Sequence, residues 1–198
     1  MLSIEGAEKY YSTHMAKREN IRPDLIITNY VDYEPDINAT KIVQSMIAHV
    51  NPEYLNGLNM ILLTNASGMS HDRKRAKTWA GNKKVKINAC YGLYHPKSRD
   101  SLPWIEIFVD NIFGYWPKVM FYFPTKYSII GNVLFHELGH HIHKHVRPQY
   151  KGRELAAEQW KDKLLSGFLR KSYWYLLPFY GLLYFVFHSR KKESDTDK

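Results

Sequence analysis

The sequence predicts an α+β fold with a small mixed sheet, and three observations carry that expectation. Apolar residues recur at helical spacing in some windows and as short apolar or alternating runs in others. The order of these windows is helix, strand, helix, strands, helix, helix, without the regular strand–helix alternation of a doubly wound sheet. At 198 residues, with 44% hydrophobic and 24% charged residues, the chain can bury a full core and is not a disordered or low-complexity polymer.

Met1 to Asn20 places Ile4, Ala7, Tyr11 and Met15 at helical spacing in a polar stretch that Pro23 closes. Asp24 to Tyr30 is Ile-rich and extended. Thr40 to Val50 carries Ile42, Val43, Met46, Ile47 and Val50 on one helical face, and Asn51-Pro52 stops it. After a turn at Asn56-Gly57, Leu58 to Thr64 is an apolar strand. Val85 to Tyr94 and Trp104 to Phe113 are expected as two more strands. In the latter, the alternation of Ile105, Ile107 and Val109 with Glu106, Phe108 and Asp110 suits partial exposure. Thr125 to Val146 is the longest helix, with Ile129, Ile130, Val133, Leu134, Leu138 and Ile142 as its stripe and Pro148 as its stop. A second helix is expected from Arg153 to Lys171.

The chemistry lies in the longest helix, where His136-Glu137-Leu138-Gly139-His140 forms an HExxH motif. With ten His and ten Glu in the chain, chance would produce this pattern only about 0.025 times. Residues four apart share a helix face, so His136 and His140 can hold one metal ion. Glu137 lies beside them as a catalytic acid–base for a water acidified by that metal; two His and a carboxylate would hold several divalent ions. A third protein ligand must come from elsewhere. His141, His143 and His145 extend the histidine run and are expected to be exposed or to support the site from outside. Cys90, the single cysteine, cannot form an internal disulfide. It is expected to be a half-buried strand residue.

The motif, with Arg153-Glu154-Leu155-Ala156-Ala157-Glu158 downstream, resembles the gluzincin branch of the zincin-like zinc metallopeptidases. In that branch HExxH is followed by a helix bearing ExxAD or a close variant. The resemblance covers roughly Leu58 to Leu165, and it implies a zincin-like fold, Zn2+ as the ion and hydrolysis of peptide or protein substrates. It also implies Glu154 as the third metal ligand and Glu158, where the family has Asp, as the group that orients a zinc-binding histidine. Glu158 is the main substitute as ligand. Only 13 residues separate His140 from Glu154, so the chain must reverse tightly through Arg147 to Gly152. The metzincin pattern is excluded, because His143 and Val146 stand where it needs Gly and His. Peptide deformylases also carry HExxH, with an upstream Cys ligand, but the other signatures of that family are missing around Cys90. Zincin-like peptidases commonly bind peptide along a sheet edge, and Tyr91 to Pro96 is the segment that would offer one. The oxyanion-stabilising group is left open among Tyr150, His143 and the tyrosines near residue 91.

Two further features shape the expected partners. The formal net charge is +9, and Ser70 to Lys86 holds seven basic residues against Asp72, with Trp79 among them. This basic loop is expected to be solvated, with an anionic partner such as nucleic acid or lipid as the alternative. Residues 172–189 contain no Lys, Arg, Asp or Glu, and basic residues flank them. They are expected to form a hydrophobic helix that either contacts a membrane or packs on the domain. The organisation expected is 1–57 as an N-terminal helical and extended part, 58–171 as the catalytic core, 172–189 as the hydrophobic helix and 190–198 as a charged tail. The polar start of the chain lacks a secretory apolar stretch, so the catalytic domain is expected to be cytoplasmic, membrane-associated if 172–189 serves as an anchor. The functional alternatives to a metallopeptidase are a nucleic-acid-binding protein acting through 70–86 and a zinc-stabilised module without catalysis.

Overall fold

A computed structural model describes residues 25–80, 83–99, 101–121, 125–148 and 152–173. The helix expected over Met1 to Asn20, the candidate Tyr150, residues 174–189 of the hydrophobic segment and the tail 190–198 lie outside the described residues. Among those described, no helix is long and apolar enough to cross a membrane.

The described residues are mixed α+β, with a small four-stranded sheet and a two-stranded ribbon. The chain runs β1 (Ile26–Asn29), α1 (Ala39–Ile47), β2 (Ile61–Thr64), α2 (His71–Arg75), β3 (Lys77–Ala80), β4 (Lys83–Lys86), β5 (Gly92–His95), β6 (Trp104–Phe108), α3 (Val109–Tyr115), α4 (Thr125–His141) and α5 (Arg153–Tyr173). The sheet order is β1-β2-β6-β5, with β1, β2 and β6 parallel and β5 antiparallel to β6 at the edge. β3 and β4 form a separate antiparallel ribbon.

Side chains alternate across the pleat, and this decides what each face carries. Ile61, Leu63, Ile105, Ile107 and Tyr94 join the core with Ile42, Val43, Met46 and Ile47 of α1 and Ile130, Leu134, Phe135 and Leu138 of α4. Burying a side chain of this size stabilises the fold by about 1.5–3 kcal/mol, so this core fixes how α4 lies on the sheet. The opposite face carries a smaller cluster of Ala66, Met69 and Phe108, flanked by Ile87, Cys90 and Leu93. Asn38 starts α1 by accepting the Lys41 N–H at 2.8 Å.

Several boundaries differ from the sequence expectation. Trp104 to Phe113 is not one strand: β6 ends at Phe108 and α3 begins at Val109. Nor is β6 partly exposed, for Ile105, Glu106, Ile107 and Phe108 are all buried because the strand is central and covered on both faces. Val85 to Tyr94 is divided by a 3-10 turn at Ile87–Ala89, which leaves Cys90 between strands rather than within one. Ser70 to Lys86 is a short helix and a ribbon rather than a loop. The long helix widens after His141 into a π-helical turn, Ile142–Val146, closed by Arg147 N–H to Ile142 O at 2.7 Å.

Candidate metal centre

α4 and α5 pack along a seam of small residues, and that seam sets the site. A Cβ placed on Gly139 would stand 2.6 Å from the Ala157 carbonyl oxygen and 2.9 Å from the Ala157 Cα. Glycine at this position, inside HELGH, therefore permits a backbone-to-backbone approach that any larger residue would block. Ala156 and Ala157 are fully buried on the α5 side. The close crossing carries the first turn of α5, with Glu154, over the histidine face of α4.

Glu154 Oε2 lies 3.6 Å from His136 Nε2 and 3.6 Å from His140 Nε2. One ligand atom from each of these three residues falls within 4.8 Å of the others. Glu158, one turn further along α5, places Oε2 3.1 Å from His136 Nδ1 and also pairs with Lys161. Lys161 and His136 together hold the Glu158 carboxyl below its ordinary range. The structure thus brings His136, His140 and Glu154 to one point and sets Glu158 behind His136. Cys90 is not part of the group. Its Sγ lies 3.5 Å from the Lys86 carbonyl oxygen, and burial raises its thiol pKa.

His140 is buried, and burial, reinforced by the charges of His136, Arg153 and His143, holds its pKa down to about 3. Its imidazole is therefore neutral at pH 7, the form that can donate a lone pair to a metal. Glu137 is buried against β5. A Cβ on Gly92 would meet Glu137 Cγ at 3.0 Å and Val133 Cγ1 at 2.7 Å, so the glycine makes room for the carboxylate. Burial pushes the Glu137 carboxyl up to about 8, against a hydrogen bond from the Tyr94 N–H that favours the ionised form; Glu154 raises it further and Arg153 lowers it.

The remaining histidines separate by position. His141 is fully buried, edge-on to the Tyr94 ring, and donates from Nε2 to the Asn56 carbonyl at 3.0 Å, so of the two placements expected for it, exposed or supporting the site from outside, exposure does not hold. It is a packing residue. His145 is exposed, and His143 is half-buried beside the site. His143 joins Tyr94, Pro96, His140, Lys144, Pro148 and Arg153 around a cavity of about 350 Å³ next to the centre.

The sequence did not single out Gly92, Gly139 or Arg153 as site residues. The one readable signal was the small triplet Gly139, Ala156 and Ala157 on the two expected helices. The arrangement can chemically gather two imidazoles and a carboxylate within 4.8 Å of one another, next to the buried carboxyl of Glu137. No protein-family model, no curated protein and no solved structure matches the chain.

Proposed function

We propose that the chain is a zinc-dependent metallopeptidase of zincin-like fold, in which His136, His140 and Glu154 hold the metal and Glu137 is the general base. The observation that carries this reading is the convergence of two Nε2 atoms on one Glu154 oxygen, each at 3.6 Å. Ligand atoms of His136, His140 and Glu154 lie within 4.8 Å of one another, so the three residues would close on an ion by side-chain adjustment. Two imidazoles and one carboxylate are the donors of a zinc site that keeps a fourth position open. When bound, zinc supplies a Lewis acid that polarises the scissile carbonyl and acidifies a water.

The chain's own residues do the rest. Burial alone keeps the Glu137 carboxyl protonated near neutral pH; a cation held by His136, His140 and Glu154 would favour its ionised form, and as the carboxylate Glu137 would take a proton from the attacking water and pass it to the departing amine nitrogen as the C–N bond breaks. The Tyr94 N–H orients the carboxylate for both transfers. Glu158 holds the His136 ring by its Nδ1, leaving Nε2 for the metal. Among the described residues, β5 has a neighbouring strand on one side only. A peptide can therefore add to its free edge through main-chain hydrogen bonds, with little demand on sequence.

Digestion of a mixed peptide library by the zinc-loaded protein, read by mass spectrometry beside Glu137→Gln, tests the reading. Cleavage by the wild type and none by Glu137→Gln, with zinc retained in both, is expected. A wild type that holds stoichiometric zinc and cleaves nothing would favour a metal-held module instead.

A further inference from the structure

The excursion between β2 and β5 has no role in the metallopeptidase reading, yet both of its ends are fixed. The Ala66 and Ser67 N–H groups each donate to the Asp110 carboxylate at 2.8 Å. The next residue, Asn111, donates from Nδ2 to the Asn88 and Cys90 carbonyls at 2.9 and 2.7 Å. Between these anchors, Arg73 of α2 pairs with Glu106, which is fully buried on β6. The arm is held at three places, to Glu106 on β6 and to Asp110 and Asn111 at the start of α3, so its outer surface is preorganised.

That surface is the β3–β4 ribbon. Its register sets Lys77 opposite Lys86 and Trp79 opposite Lys84, which puts these four side chains on one face. All four are exposed, Trp79 to 64%, whereas Thr78 and Val85 on the other face are half-buried. Like charges directly opposite each other destabilise a strand pair. Among the described residues, none of these lysines has a carboxylate within ion-pair distance. The Lys84 ammonium instead lies 5.2 Å from the Trp79 ring centroid.

The geometry points to a binding face for single-stranded nucleic acid on this ribbon, with Lys77, Lys84 and Lys86 on the phosphates and Trp79 stacked on an unpaired base. Residues two apart on a strand stand about 6.7 Å from each other, so Lys84 and Lys86 follow one another along β4, with Lys77 across from Lys86 and the Trp79 indole across from Lys84. A bilayer would draw its affinity from several buried apolar groups as well as charge. Here one aromatic stands among three lysines, the combination that single strands use. The proposal is independent of the metal.

Fluorescence anisotropy of a labelled 20-nucleotide oligo-dT, titrated with the full chain at several salt concentrations, tests it. Binding that weakens with salt is expected. Lys77→Gln, Lys84→Gln and Lys86→Gln combined should lower the slope of log K against log salt by about 2, at about 0.7 per lost phosphate contact. Trp79→Ala should weaken binding at least about five-fold with the slope nearly unchanged. Circular dichroism and metal content should match the wild type in both variants. The proposal is overturned by absence of binding at low salt, or by an equal loss when Lys41, Arg170 and Lys171 are neutralised instead. Capture by phosphatidylserine vesicles through the same residues, without oligo-dT binding, would also overturn it and assign the face to a membrane.

Discussion

On the helix side of the sheet, Ile61, Leu63, Ile105 and Ile107 are sealed beneath α1 and α4, and the polar groups of the candidate centre sit at the margin of that apolar layer. On the other side the same central strand presents Glu106, fully buried, to Arg73 and to His95, whose Nε2 is 3.0 Å away. Burial alone would raise the Glu106 carboxyl, but the hydrogen bonds and charges of His95 and Arg73 hold it below its ordinary range. The helix side positions its groups by close packing, so its geometry is governed by volumes such as the missing Cβ of Gly139. The opposite side positions the basic arm by a buried charge and its partners, so its geometry is governed by ionisation. One side should answer to size and the other to charge.

The largest expected effect breaks the chemistry and leaves both sides intact. Glu137→Gln should lower peptide hydrolysis by about 10²–10⁴-fold, measured as kcat/KM, with zinc content unchanged. Gly139→Ala tests the packing side. Its Cβ meets the Ala157 backbone, which cannot yield as a flexible side chain would. α5 must shift, and we expect zinc affinity to fall about 10–100-fold and stability to drop by about 1–3 kcal/mol in denaturant titrations. Glu158→Ala should reduce zinc affinity by a comparable or smaller factor with little loss of stability, since Glu158 is exposed and acts on the orientation of His136.

Arg73→Ala tests the charge side. Removing one partner from a buried carboxylate costs about 2–3 kcal/mol here, below the fully buried range because Arg73 is itself partly exposed. Zinc affinity should barely change. The sign of the pH dependence follows from the depressed carboxyl. The contribution of the pair is present above the ordinary value of 4.5 and is lost as pH falls through the lower folded value. The stability gap between wild type and Arg73→Ala should therefore be full at neutral pH and close in acid. A gap that stayed constant down to acid pH would mean that Arg73 acts through packing.

What could be read from the sequence divides along the same line. The motif on a helix, the downstream Glu-bearing helix and the apolar strands were legible because each is written in local spacing. β6 was misjudged because Glu106 and Phe108 alternate like solvent-facing residues, and only the arm folded over them makes that face buried. The arm in turn resembled a solvated loop, since nothing local in its lysines shows that Arg73 reaches a carboxylate 33 residues away. Glu154 was placed by resemblance rather than by spacing. Its approach to the histidines depends on the Gly139–Ala157 contact, a long-range fit that periodicity does not encode.

The most direct test of the central claim is the metal content of the purified full chain, with His136→Ala and Glu154→Ala beside it, after zinc loading at neutral pH and removal of free ion. About one zinc per chain, lost in each variant, is the result predicted from two imidazoles and a carboxylate meeting at one point. A wild type without stoichiometric metal would contradict the centre, and with it the metallopeptidase.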